Sequence, residues 1–190
     1  MITVDLPRPE VPRPIAVVRD FVNTTDLETR TDELTTQADL GRYLVREGLL
    51  QRGGRASVGD LRLARSLRAG LRRALEHNHE GTPATVPSLG KAMRSLPLTL
   101  DWSPERGPTL LVAAPGVRGA LAMIGLAAHE AANAGTWWRL KICSSDECEW
   151  AYYDNSKNRS RNWCEYGCGN KIKTRAYRAR QRAARGHGGG

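Results

Sequence analysis

No apolar run in this chain is long enough to cross a bilayer. The longest, 119–128, is about half of the roughly 20 residues that a spanning helix needs. The opening stretch, MITVDLPRPEVPRP, has acids and prolines where an export signal needs a basic start and an apolar core. A cytoplasmic protein that does not enter a membrane is therefore expected. The glycine patterns of hydrolase elbows, phosphate-binding loops and dinucleotide folds are also missing. His129-Glu130-Ala131-Ala132-Asn133 comes one residue short of a zinc-protease helix, because Asn133 stands where a second imidazole is required. His77, His79 and Glu80 read as the polar end of a helix, where histidine is favourable anyway. With no convergent acid, base and nucleophile, the chain is expected not to be an enzyme.

Cysteine is absent from the first 142 residues and then appears four times within 26. Cys143 and Cys148 form one close pair in C-S-S-D-E-C. Cys164 and Cys168 form another in C-E-Y-G-C, fifteen residues further on. Two thiolate pairs at this separation suit one tetrahedral Zn²⁺, with each pair turning back on the ion and the linker forming a hairpin between them. A structural metal can replace the apolar core that so short a segment lacks. Two disulfides would need an oxidising compartment, and unrelated buried thiols are the remaining reading.

Charge is as unevenly placed as cysteine. Residues 1–150 carry 19 Lys and Arg against 18 Asp and Glu, whereas residues 151–190 carry 10 against 2, a net of +8. A positive field confined to one end attracts polyanions, nucleic acid first among them. Within it Lys157, Arg159 and Arg161 alternate, so an extended segment would point them one way. After Cys168 a helix is expected. Its narrow apolar stripe is Ile172, Ala176, Ala179 and Ala183, flanked by Lys171, Arg175, Arg178 and Arg182 on one side and Lys173, Tyr177 and Arg180 on the other. A helix of this kind is sized for a major groove about 12 Å wide.

The first 136 residues read as mostly helical, with one small hairpin. Residues 1–14 suggest an extended arm, and 15–22 a strand or short helix. Thr35 or Thr36 resembles an N-cap for a helix bearing Leu40, Tyr43 and Leu44. Asp60 would cap a longer helix with Leu61, Ala64, Leu67, Leu71 and Leu75 on one side and arginines on the other. A short helix over 88–96, strands over 98–102 and 109–113, and a helix over 117–133 follow. The fold class expected is α+β: an N-terminal domain over 1–136, then a treble-clef-like zinc module over 137–190.

These residues also carry a resemblance. The string C-x4-C-x3-Y-Y-D-N-S-K-N-R-S-R-N-W-C-x3-C-G-N-K is similar to the CGNR zinc finger, with Asp154, Ser156, Asn158, Arg161, Trp163 and Cys164 in the family's positions. The namesake motif reads Cys168-Gly169-Asn170-Lys171 here, and Lys keeps the charge of Arg but not its bidentate fork. Asp20-Phe21-Val22-Asn23-Thr24, Ala38-Asp39-Leu40 and Gly48-Leu49 resemble the ABATE domain that usually precedes this finger.

Proteins with this pairing are regarded as bacterial, stress-associated transcription regulators. The resemblance implies zinc held by Cys143, Cys148, Cys164 and Cys168, and double-stranded DNA bound by the finger. Lys157, Arg159, Arg161, Asn170, Lys171, Lys173, Arg175, Arg178, Arg180 and Arg182 are its candidate contacts. It also implies a sensing or partner-binding role for the N-terminal domain, where a cleft between helices and hairpin could hold a small-molecule effector. An RNA-binding finger is the competing expectation, with Tyr152, Tyr153, Trp163 and Tyr177 stacking on bases. A single finger offers little contact area, which is compatible with a homodimer on repeated half-sites.

Overall fold

The computed structural model describes residues 11–105 and 107–186; in the last helix, side chains are described up to 178, without 176. The first helix, α1 (Arg13–Val22), starts inside the proline-rich opening. Most of the expected arm, residues 1–10, lies outside the described residues, but its end is helical. Pro12 caps α1 and Pro14 sits in the first turn, where a missing N–H costs nothing. Ile15, Val18, Phe21 and Val22 are buried along one face. The 26–32 stretch forms a two-residue ladder, β1 (Thr25–Asp26) with β2 (Thr31–Asp32).

Helix α2 (Gln37–Arg46) opens with a capping box in which Thr36 and Asp39 satisfy each other's backbone N–H. The long helix α3 (Val58–Glu80) begins the same way, with Ser57 as the cap. Asp60 is therefore the third helical residue and not the cap, and its carboxylate answers back to the Ser57 N–H. Gly81 closes α3 in a left-handed conformation that a side chain would disfavour. The expectation of a solvent-facing arginine side is only partly met. Arg68 is buried, with a bidentate pair to Asp32 and a bond to Thr24, while Arg72 donates to the carbonyls of Val22, Thr25 and Glu149.

Helix α4 (Pro87–Arg94) crosses α3 at Gly70, where an added Cβ would lie 2.8 Å from the Leu89 backbone. The hairpin β3 (Leu98–Ser103) and β4 (Gly107–Val112) follows in full antiparallel register from Leu98↔Val112 to Ser103↔Gly107. Helix α5 (Gly116–Asn133) buries Leu121, Ile124, Ala128 and Ala131 against α1 and α3. A 3₁₀ turn (Trp137–Arg139) then runs into β5 (Leu140–Ile142), which pairs antiparallel with β6 (Ala151–Tyr153). Helix α6 (Cys168–Gly186) is the last element among the described residues.

One apolar core joins Phe21, Leu67, Leu71, Leu75, Leu121 and Ile124 to Leu140, Ile142 and Ala151. A second, small cluster holds the four cysteines with Tyr152, Trp150 and Trp163. The architecture is α+β, with helices in the N-terminal region, small hairpins and a cysteine-centred C-terminal module. Among the described residues, no helix is long and apolar enough to cross a membrane.

Candidate metal centre and nucleic-acid interface

The hairpin β5–β6 encloses the first cysteine pair; it does not lie between the two pairs as the spacing suggested. Apolar residues on both sides of C-S-S-D-E-C reach the main core, and this pairs the flanks of the knuckle with each other. Within the knuckle, the Cys143 N–H donates to the Trp150 carbonyl at 2.9 Å and the Cys148 N–H to the Ser145 carbonyl at 2.8 Å. Glu149 takes a positive φ of 43° to complete the turn. Cys164 precedes the first turn of α6, and Cys168 is its first residue. A knuckle on a hairpin thus faces a helix start, the treble-clef-like arrangement.

All four sulfurs are buried and lie within 4.8 Å of one another. Cys148 Sγ is 3.7 Å from Cys164 Sγ, which is 3.6 Å from Cys168 Sγ. Tetrahedral ligation with Zn–S near 2.3 Å puts sulfurs about 3.8 Å apart, whereas a disulfide needs about 2.05 Å. The donor set therefore fits a tetrahedral, thiophilic divalent cation, and all four cysteines are free thiols. Burial, reinforced by the neighbouring sulfurs, pushes the Cys148 and Cys164 thiols up. A bound divalent cation supplies the charge that lets such buried sulfurs persist as thiolates.

The loop between the pairs is organised by one carboxylate. Asp154 is fully buried. It accepts from Lys141 Nζ at 2.8 Å, from the Ser156 hydroxyl at 2.6 Å, and from the Ser156 and Arg161 N–H groups at 3.0 Å each. Burial alone would raise this carboxyl, but these donors outweigh it and hold Asp154 below the usual carboxylate range. Trp163 lies over Gly169, where an added Cβ would come within 3.2 Å of the indole. That contact gives the glycine of Cys168-Gly169-Asn170 a packing reason.

A family model for the CGNR zinc finger matches residues 139–181. The ABATE model, described as "Putative stress-induced transcription regulator", matches 16–135, which is more than half of the chain. The chain belongs to the ABATE family. No curated protein matches it.

The basic residues of this ABATE protein fall into three groups. Lys157, Arg159, Lys173 and Arg178 are exposed, as is Asn170. Arg159 has a positive φ of 51°, so the 157–161 segment is not extended and its basic side chains do not share one face. Lys171 and Arg175 are exposed but paired, Lys171 with Glu28 at 2.8 Å and Arg175 bidentate with Glu147 at 3.0 and 3.1 Å. Arg161 turns inward: it donates to the Trp163 carbonyl at 2.9 Å and stacks over Tyr152. The side chains of Arg180 and Arg182, and of Ala176, Ala179 and Ala183 in the expected stripe, lie outside the described residues; Ile172 is half-buried. Of the four expected stacking rings, Tyr152 is buried, Tyr153 and Trp163 are half-buried, and Tyr177 is exposed.

Besides Arg72–Glu149 and Lys171–Glu28, three further contacts between the ABATE region and the C-terminal module escaped the sequence reading. The Asn23 side chain behaves like a short strand: its Nδ2 donates to the Ala151 carbonyl at 2.9 Å and its Oδ1 accepts from the Ala151 N–H at 2.8 Å. Asn78 Nδ2 donates to the Trp137 and Leu140 carbonyls, each at 3.0 Å. His79 Nε2 sits 2.8 Å from the Ser144 hydroxyl. The D-F-V-N-T run held the one available signal. An asparagine closing an otherwise apolar helix end has a side chain that must find a partner.

Proposed function

We propose that this chain is a zinc-dependent, DNA-binding transcription regulator of the cytoplasm, active in stress responses, with labour divided near residue 136. Cys143, Cys148, Cys164 and Cys168 hold Zn²⁺. Lys157, Arg159, Lys171, Lys173, Arg175 and Arg178 face DNA phosphates, joined by Arg180 and Arg182 along α6. Asn170, at the helix start, is positioned for a base edge or a phosphate. Arg161 supports the finger from inside, with its guanidinium committed to Trp163 and Tyr152. The ABATE region carries the regulatory input. The observation that carries this reading is the junction at Cys168, which is at once a member of the buried four-sulfur cluster and the first residue of the basic helix α6. A metal held there sets the pitch at which that helix leaves the protein.

Duplex DNA is favoured over unpaired RNA because only Tyr177 of the four expected stacking rings is exposed. The test is selection of bound sequences from random duplex DNA, with Cys148→Ser as the control. Recovery of a common sequence that disappears in the variant is expected. For about 6 phosphate contacts, log K against log salt should fall with a slope near −5. A flat salt response, enrichment that survives Cys148→Ser, or preference for structured RNA at equal salt would overturn the proposal.

A further inference from the structure

An effector site need not lie between helices and hairpin. A groove of about 900 Å³ lies instead between α2 and the 52–56 segment that leads into α3. Ala38, Gly41, Val45 and Ala56 give it an apolar floor. The floor is flat because Gly41 has no side chain: an added Cβ would meet only the Gly54 carbonyl, at 3.6 Å.

The rim is basic, with Arg42, Arg46, Arg52 and Arg55 all lining the groove. Two of these are already neutralised within the protein. Arg42 pairs with Asp39, and Arg46 with Glu33 and Glu47. Arg52 and Arg55 have no hydrogen-bond or ion-pair partner among the described residues, and both are exposed. They flank Gly53-Gly54 in an R-G-G-R turn, with Gly53 at a φ of 94°. This brings two free guanidiniums to the mouth of an apolar groove.

We infer that this groove binds a small organic anion, an apolar body bearing a phosphate or carboxylate, with Arg52 and Arg55 as its clamp. Planar guanidiniums take either group through paired N–H donors, and the volume lies within the range of small-molecule sites, about 300–1,000 Å³. The assignment deepens the regulatory role proposed above for the ABATE region and rests on it. The placement suits that role. Ala56 lines the groove directly before the Ser57 cap of α3, while Asn78 and His79 at the other end of α3 hold the finger. The 23 residues of α3 span about 34 Å at 1.5 Å per residue, so the groove and the hydrogen bonds to the finger lie at opposite ends of that helix.

The test uses the full zinc-loaded chain, titrated calorimetrically with 1-naphthyl phosphate, 1-naphthoate, 1-naphthol and inorganic phosphate at equal ionic strength. One or both naphthyl anions should bind at least tenfold more tightly than naphthol and than phosphate alone, and the arms separate phosphate from carboxylate. The R52Q/R55Q double variant should lose that preference at least tenfold. Gly41→Leu, which fills the floor and leaves every charge in place, should lose binding of both naphthyl anions. Both variants alter exposed or half-buried positions, and an unchanged circular dichroism spectrum confirms their folding. Equal binding by naphthol, no binding by any probe at millimolar concentration, or full binding by the double variant would overturn the inference. So would a double variant that weakens DNA binding while leaving anion binding intact, because the arginines would then belong to the nucleic-acid surface. Anion binding that leaves DNA affinity unchanged upholds the site and sinks the regulatory reading instead.

Discussion

The two ends of this protein are held together by different physics. From α1 to α5, leucines, isoleucines and valines meet on helix faces, and the polar residues mostly cap or face water. From β5 to the start of α6 there is little apolar material. Order there rests on four buried sulfurs, one buried carboxylate and the edge of the neighbouring core. The first region can lose a contact and repack. The second depends on a few groups, each with several partners, so single changes should act more like switches. Their meeting is also asymmetric: the finger borrows the larger core through Leu140, Ile142 and Ala151, and returns little apolar surface of its own.

Metal removal should show the difference most sharply. Structural zinc contributes about 10–16 kcal/mol to finger peptides at neutral pH. A strong chelator should therefore abolish amide protection over 143–168 in hydrogen exchange while α1, α3 and α5 stay protected. Loss of protection throughout would mean that the two regions are one cooperative unit.

Asp154→Ala comes next. It strands the nearly buried Lys141, and breaking such a pair costs about 3–5 kcal/mol. Chemical denaturation should record that loss, and Lys141 should then tolerate replacement by Met. The same carboxylate predicts a pH dependence. Its folded pKa is depressed, so its contribution is present above the unfolded carboxylate value and is lost as pH falls through the lower, folded value. A finger that melts at a pH well above that range would point to thiol protonation, not to Asp154.

Asn23→Ala tests the seam itself. It leaves the buried Ala151 N–H and carbonyl without their partner, at about 1–3 kcal/mol for each group left unsatisfied. Faster exchange at β6 with unchanged protection in α3 is the expected signature. Equal acceleration in both would deny the asymmetry. The smallest effect belongs to Glu28→Gln, which releases Lys171 from an exposed pair. No measurable change in melting temperature is expected, with a modest gain in DNA affinity from the freed ammonium. A fall in affinity would show that Glu28 orients Lys171 toward DNA.

The parts of the molecule legible before any coordinates were those with a local cause. Periodic leucines along α2, α3 and α5, the alternation in β3 and β4, and Gly135 after α5 all act within a few residues of themselves. The cysteine clusters belong with them, because ligand chemistry limits what two close thiol pairs can do. Ser57 went unrecognised because Asp60 is also a good capping residue, and only the backbone shows which of the two lies outside the helix.

The sequence alone therefore determined the helices after α1, the four-sulfur set and the concentration of positive charge at one end, since spacing and composition dictate each of these. The tertiary structure alone decided where the polar side chains go. Asn23 meets Ala151 across 128 residues of sequence, Arg68 turns inward to Asp32 across 36, and Arg161 folds back beneath the finger it was expected to extend from. A buried hydrogen bond needs a partner in space and leaves no period in the chain. The groove beside Arg52 and Arg55 likewise exists only because α2 and the turn before α3 come to lie side by side.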